Sequence, residues 1–380
     1  MTAQARPPEV RRRPRDRRQQ ILAAAAERFW SVGYHRVSMA EIAADVGIGA
    51  SALYRHFGGK QELLLAALDQ HLGALEAIAA DPERDLLDEC AAYVLEHRDF
   101  GVLWEREAGH LPEGTRRALR HRLRALAVRT RELTVDDEHA DTRAWAALSV
   151  LDSPSHRSTR LDPERFRALL TAAARAVATA PFAVPRGTAG RSGPGIAPAS
   201  RREVLLGVAV TLFAERGYAA VGLGDIGAAA GIAGPSVYNH FGSKIEVLSA
   251  ALTRGNEALW LGLHRALSAA SDPADGLARL VADYTAFAAA DPELVSILIS
   301  EIIHLGPEQR APFVRAQRAY VTEWATLLAR VRPDRDADEV GVLVRAALTL
   351  VNSLSRIHHL RGEPGHTERT TALALAVLHA

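Results

Sequence analysis

Two short runs of side chains able to make polar contacts stand out in this chain. Ala50, Ser51, Ala52, Tyr54, Arg55 and His56 form one, and Ser236, Tyr238, Asn239 and His240 form the other. Each follows a glycine, Gly47 or Gly231, that permits a tight turn between two crossing helices. Hydroxyl, guanidinium, amide and imidazole groups presented by a short helix behind such a turn suit entry into a DNA major groove, N-terminus first. A second source of chemistry is positive charge: Arg6, Arg11, Arg12, Arg13, Arg15, Arg17 and Arg18 crowd the start of the sequence. An arm of this kind neutralises phosphates through counterion release, and its place just before the first run favours DNA contact over a plain solvated tail. A third is Glu107-x-x-His110 and Glu301-x-x-His304, which share the spacing of ligands in di-iron helical bundles. Both end at a leucine followed by a proline-containing turn, and they are one ancestral feature seen twice. Capping or pocket lining is therefore expected of them, with no metal and no cofactor.

The elements that position these groups are duplicated. Residues 17–68 and 201–252 align without a gap over 52 positions, of which about 22 are identical. In the first copy Ile21, Leu22, Ala25 and Phe29 recur at helical spacing up to Gly33, which is placed as a left-handed C-terminal cap, as is Gly217 in the second. Ser38 and Glu41 spell a capping box ahead of a second helix whose Ile42 and Val46 face inward; Gly222 and Asp225 make a weaker start in the other copy. Ile48 and Ile232 plug the angle after the turn. The third helix is predicted over 50–57 and 235–241, with Leu53 and Phe57 packing back.

The duplication extends further. Ala147–Ser153 matches Ala347–Ser353, so the chain reads as two complete units in tandem. Residues 181–200 mix proline, glycine and small polar residues without periodicity, as a linker does. Elsewhere helices are predicted over 112–133, 141–152, 163–179, 312–330 and 337–360, several behind Asp or Pro. The 380-residue length, 48% apolar and 24% charged content and scarcity of β-branched runs fit an all-α globular protein of two or more domains. Cys90 is the only cysteine, which excludes an intrachain disulfide framework or cysteine zinc site and fits a reducing cytosol. No signal-peptide core is visible, and the longest uncharged stretch, between Asp225 and Lys244, contains Pro235, Asn239 and His240 and is no membrane span. A cytoplasmic location is expected. No phosphate-binding glycine loop, nucleophile elbow or HExxH motif is present, so the residues give an enzyme reading no support.

The pattern S-x-x-E-I-A-x-x-V-G-I followed by L-Y-R-H-F-x-x-K-x-E-L-L, present twice in recognisable form, resembles the TetR/AcrR transcriptional regulators. The resemblance implies a three-helix DNA-binding head and a larger helical ligand-binding body in each unit, with units paired through a four-helix bundle of their last two helices. It implies that Tyr54, Tyr238, His56 and His240 contact phosphate, that Lys60 and Lys244 add a phosphate charge, and that Arg55 and Asn239 occupy matching positions within reach of base edges. Arginine suits guanine O6/N7 and asparagine adenine N6/N7. Two departures matter: the small hydroxylic residue usual before the reading helix is Gly49 or Ala233, and the one two places before the tyrosine is Ala52 in the first copy and Ser236 in the second. The two heads are therefore expected to prefer different half-sites.

The expected architecture is an all-α tandem: a basic arm (1–16), a first helix-turn-helix head (17–63), a first regulatory domain (64–180), a linker (181–200), a second head (201–247) and a second regulatory domain (248–380). Arg11, Arg12, Arg13, Arg15, Arg17, Ser38, Ala50, Ser51, Tyr54, Arg55, His56 and Lys60 are the expected DNA contacts of the first unit. Ser236, Tyr238, Asn239, His240 and Lys244 are those of the second. Trp104, His110, Trp260, Tyr284, His304, Trp324 and His358 are candidates for contact with an unidentified small-molecule effector, although tryptophans here are more often core. The function expected is a ligand-responsive repressor on double-stranded operator DNA, acting as an intrachain pseudo-dimer whose heads lie about one DNA turn, roughly 34–36 Å, apart. A homodimer with four heads is the competing arrangement; Pro154, where the second unit has Leu354, favours unlike halves pairing by kinking the first bundle helix. A ligand sensor with degenerate heads and a di-metal helical enzyme are the readings from other classes.

Overall fold

The computed structural model describes residues 14–156, 160–181, 198–232 and 234–380; Arg6, Arg11, Arg12, Arg13, the side chain of Arg15 and most of the predicted linker lie outside them. Every regular element among the described residues is helical. The first half runs α1 (Pro14–Val32), α2 (Met39–Asp45), α3 (Ala50–Tyr54), α4 (Lys60–Ala79), α5 (Leu86–Glu96), α6 (Asp99–Val102), α7 (Glu113–Arg131), α8 (Ala140–Asp152) and α9 (Pro163–Ala178). The second runs α10 (Arg201–Arg216), α11 (Leu223–Ala229), α12 (Gly234–Val237), α13 (Lys244–Ser268), α14 (Pro273–Ala290) and α15 (Pro292–Ser300). It ends with α16 (Pro307–Val331), α17 (Ala337–Arg356), α18 (His358–Arg361) and α19 (His366–Leu378). Short 3-10 turns follow α1, α8, α10 and α15, and a π-helical turn, Leu103–Glu107, follows α6.

The fold divides into two compact units. The first joins the described residues up to Ala77 with Asp99–Arg122; the second joins Ile78–Arg98 with Leu123–Ala380. In the first unit α1 buries Ile21, Leu22, Ala25 and Phe29 against α2, α6 and the π-helical turn. In the second, α10 packs on α11, α13 and α15, with Leu205, Phe213, Ile226, Phe241, Leu248 and Ile297 in one apolar core.

The second unit also contains a bundle drawn from both halves of the sequence. α8 packs on α9 and on α17, and α19 packs on α17 and α9. Small residues line the close approaches: Ala144, Ala146 and Ala147 on α8 and Ala346 and Ala347 on α17 are all fully buried. Val150, Leu170, Leu350 and Leu373 fill the layers between them. At the bundle's edges Arg165 reaches Asp336 and Glu339 at 2.9 Å each, and His359 Nε2 lies 2.9 Å from Asp141. α5 is tied to α9 by Arg167 on Asp88 and Arg175 on Asp85.

Three local expectations are corrected. Gly33 and Gly217 do take positive φ, 95° and 78°, but with ψ of 143° and 147°, so the chain leaves the helix extended instead of through a left-handed cap. Pro154 does not kink α8. It ends it, because the ring cannot supply the helical N–H, and Ser153–His156 forms a 3-10 turn where α17 continues to Arg356. The predicted third helices are shorter than expected, stopping at Tyr54 and Val237.

His366, at the start of α19, is 4% exposed, and burial together with Arg369 and Arg361 pulls its imidazole down to about 4. The unfolded chain therefore binds this proton more readily than the folded one, and stability falls as pH drops from about 6.5, the unperturbed value, towards 4. Above that window the residue makes no pH-dependent contribution. A His366→Gln chain is expected to lose part of this acid sensitivity, read as a flatter dependence of urea midpoint on pH between 7 and about 4. Equal slopes for the two chains would refute the assignment.

Candidate nucleic-acid interface

Each head is built around its turn. Gly47 and Gly231 sit at φ of 68° and 65°, a conformation L side chains adopt at a cost, and so the glycines are required there. Ile48 and Ile232 donate their N–H groups back to Ala43 and Gly227 at 2.9 and 2.8 Å, which closes the turn. The predicted capping box is formed in full in the first head: Glu41 N–H donates to Ser38 Oγ at 3.2 Å, and Ser38 N–H to Glu41 Oε2 at 2.7 Å. In the second head only the reciprocal half exists, Gly222 N–H to Asp225 at 2.7 Å, because glycine has no side chain to accept. Arg17 donates to Val46 O at 2.9 Å and so ties α1 to the end of α2. Arg28 holds Asp45 at 2.5 Å and lies 3.7 Å from Glu41, and its hydrogen bond and charge keep the Asp45 carboxyl below its usual range.

The third helix of each head is anchored from below and open above. Leu53, Phe57, Val237 and Phe241 are buried to 1% exposure or less. Arg18 covers the Phe57 ring at 4.7 Å and Arg202 the Phe241 ring at 4.3 Å. Opposite them Ser51, Tyr54, Arg55 and His56 are exposed in the first head, with Ala50 and Ala52 half-buried. In the second head Tyr238 and Asn239 are exposed, and Ser236 and His240 are half-buried. Two large aromatic rings held at 54% and 61% exposure, for Tyr54 and Tyr238, cost burial energy unless something covers them. A groove of about 600 Å³ in the first head runs between Ser38 and Met39 at the start of α2, Tyr54, and Gly58, Gly59 and Lys60 at the start of α4.

The predicted contact residues at and just after the third helix of each head are exposed or half-buried, whereas the two lysines are engaged within their heads. Lys60 is turned inward: its Nζ donates to Tyr34 O at 2.8 Å and lies 4.6 Å from the Tyr34 ring centre. Lys244 does the same to Tyr218, at 2.8 and 4.1 Å. Burial pulls both ammonium groups below the usual lysine range. Both lysines hold the loop that follows α1 or α10. His35 and Arg36 line the first groove, where the second head has Ala219 and Ala220. The alignment of the repeats contained that signal, a histidine and an arginine in one copy only.

The candidate effector residues are scattered. Trp260, Tyr284, Tyr320 and Trp324 form a chain of ring contacts 5.6–6.4 Å apart in the second unit, closed by Tyr284 Oη donating to Asn352 at 2.6 Å. Trp104 is half-buried, and His358 is exposed on α18. His110 and His304 do not join an aromatic cluster of a regulatory body; each stacks on the tyrosine after the first helix of its own head, at 4.7 and 4.9 Å. Burial opposes the charge on Glu107, but the bond to His110, the Arg106 guanidinium and the Tyr34 N–H together hold its carboxyl below the usual range. Among the described residues no group of three or more His, Cys, Asp or Glu side chains has metal-holding geometry, and no helix is long and apolar enough to cross a membrane.

Helix-turn-helix heads carried on helical bodies define a class, the DNA-binding transcriptional regulators. Comparison with known proteins agrees. The model of the bacterial regulatory proteins of the TetR family matches residues 21–67 and again 205–251, and a tetracycline repressor-like C-terminal domain matches 270–379. The transcriptional repressor KstR2 of Mycolicibacterium smegmatis is 31% identical over 156 residues, which cover 39% of this chain and 76% of that protein. The transcriptional activator FasR of the same organism is 49% identical over 65 residues, so the match spans 17% of this chain and only 30% of the relative. Among solved structures, the ketosteroid transcriptional regulator KstR2 of Mycobacterium tuberculosis superposes with a TM-score of 0.43 at 24% identity, covering 48% of this chain and 95% of that one. The chain belongs to the TetR family, and it carries the family's DNA-binding head twice.

Proposed function

We propose that the protein is a ligand-responsive repressor that works as a pseudo-dimer within one chain and recognises an operator with two unlike half-sites. One observation carries the reading: α8 and α9 of the first half pack with α17 and α19 of the second in a single bundle. The polar contacts at the bundle edge pair unlike partners, Arg165 with Asp336 and Glu339, and Asp141 with His359. That packing takes one pair of helices from each half, the arrangement a pseudo-dimer within one chain requires. The exposed reading residues differ, Arg55 against Asn239, and the first groove carries His35 and Arg36 where the second head has alanines. Repression is favoured by the resemblance to KstR2, which covers most of that repressor. The effector is a small molecule bound in the helical bodies, and it lowers DNA affinity only if it binds the two states of the protein differently. The protein acts in the cytoplasm and catalyses no reaction.

Selection of bound genomic fragments by the purified chain, with footprinting at two salt concentrations, tests the operator; light scattering tests the assembly. A particle of one chain mass, 41.0 kDa, on an asymmetric footprint of two unlike half-sites is the expected result. Twice that mass at dilute concentration, with a long palindromic footprint, would establish the four-headed homodimer instead.

A further inference from the structure

The same joint is built twice, once at the base of each head. In the first head the N–H of Tyr34 donates to Glu107 Oε2 at 3.2 Å, and its carbonyl accepts from Lys60 Nζ at 2.8 Å. Its ring lies between Lys60 and His110, and His110 Nε2 is 3.4 Å from Glu107 Oε2. In the second, Tyr218 N–H donates to Glu301 Oε2 at 3.2 Å, its carbonyl accepts from Lys244 at 2.8 Å, and His304 Nε2 is 3.2 Å from Glu301. The tyrosine and the glutamate are separated by 73 residues in one copy and 83 in the other, yet the geometry is the same to within a few tenths of an ångström. Divergence in chain length between the two ends has not moved the joint. Glu107 and Glu301 are 2% and 8% exposed, and a carboxylate so buried is stable only while its partners stay in place.

We propose that Glu107 and Glu301 are positioning residues for DNA binding: each fixes the tyrosine that links the first two helices of its head, and through the shared lysine it sets the direction in which the reading helix points. The two joints differ in one respect. Arg106 donates to Glu107 at 2.5 Å and also to the carbonyls of Phe29 and Trp30 at 2.6 and 2.8 Å, and so grips the end of α1 independently. The corresponding residue of the second joint is Ser300, whose hydroxyl lies 2.9 Å from Glu301 Oε1 and 3.0 Å from Ser296 O, an acceptor on its own helix and not on α10. The first head is braced twice. The second lacks that extra grip: Glu301 alone accepts the Tyr218 N–H, beside the Lys244 bond and the apolar core that α10 shares with α15.

This inference rests on the DNA-binding reading, and the test separates the two. Hydrogen–deuterium exchange of the full chain is compared for wild type, Glu107→Ala, Glu301→Ala and the double variant Arg106→Ala/Glu107→Ala, alongside footprints on a selected fragment. Glu301→Ala should speed exchange across residues 217–223 about tenfold, the factor for removing one hydrogen bond to a charged group, and reduce protection of one half-site. Exchange of the α14 and α17 core peptides should stay unchanged, which a general loss of stability would not allow. Glu107→Ala should loosen residues 33–37 only about threefold while Arg106 remains, and the double variant should match Glu301→Ala. If the alanine chain does not fold, Glu301→Gln, which keeps the volume and one acceptor oxygen, should give a smaller shift in the same direction. Unchanged exchange at both tyrosine segments, or a first head loosened by Glu107→Ala as much as the second by Glu301→Ala, would overturn the proposal. A wild-type chain that selects no DNA would remove the functional reading, while the exchange results would still decide whether the joint holds the heads.

Discussion

A Leu354→Pro chain should lose about 3 kcal/mol or more of stability, a large share of the roughly 5–15 kcal/mol that holds a protein folded. Leu354 is fully buried in the last turn of α17, and its carbonyl accepts from Ile357 at 3.3 Å. Proline there removes a helical N–H and replaces a packed leucine by a smaller ring. The cost spreads because the turn is used by its neighbours. Asn352 receives the Tyr284 hydroxyl at 2.6 Å, and its carbonyl accepts from Ser355 and Arg356 at 2.9 and 3.0 Å. The first half has already made this change: Pro154 stands in the matching position and α8 stops at Asp152. The reverse substitution, Pro154→Leu, should accordingly be tolerated far better. Urea midpoints followed by circular dichroism read both. A Leu354→Pro chain within about 0.5 kcal/mol of wild type would mean that the last turn of α17 contributes nothing to the bundle.

Arg55→Ala should weaken binding at one half-site by about 1–3 kcal/mol and relax its base preference, with the other half-site untouched. Arg55 is exposed just past the end of the reading helix, and its five-donor fork matches guanine; Asn239 aligns with it in the second head and matches adenine. Arg55→Asn should therefore move the preference of the first half-site from guanine towards adenine. Tyr54→Phe removes only a hydroxyl and should weaken all sequences alike, as a phosphate contact does. With His35 and Arg36 beside the first groove and alanines in the second head, most of the salt dependence should come from the first head. Each phosphate that is no longer neutralised makes the slope shallower by about 0.9. Binding of selected fragments at several salt concentrations decides the matter. A uniform loss across all sequences on Arg55→Ala would make that arginine a backbone contact.

Much of this protein was legible without a structure because the information is local. Helical period, the Ser38–Glu41 box and the glycines at the turns act over a few residues, and their duplication gave each signal an internal check. Even the difference between the reading helices, Arg55 against Asn239, is written in the alignment. The inward lysines and the Glu–His–Tyr joint were not readable, because partners 26 residues apart for the lysines and 73 or 83 for the glutamates leave no periodic trace. Glu107-x-x-His110 showed only its spacing, which metal sites and helix ends share; the Tyr34 N–H that the carboxylate accepts belongs to a different part of the chain. For the bundle, the sequence favoured unlike halves pairing through Pro154 only, since apolar faces on α8, α9, α17 and α19 are all suitable partners by pattern. Non-directional burial leaves that choice open, and tertiary packing makes it, where small residues let α8 and α17 approach and Arg165 finds Asp336 and Glu339.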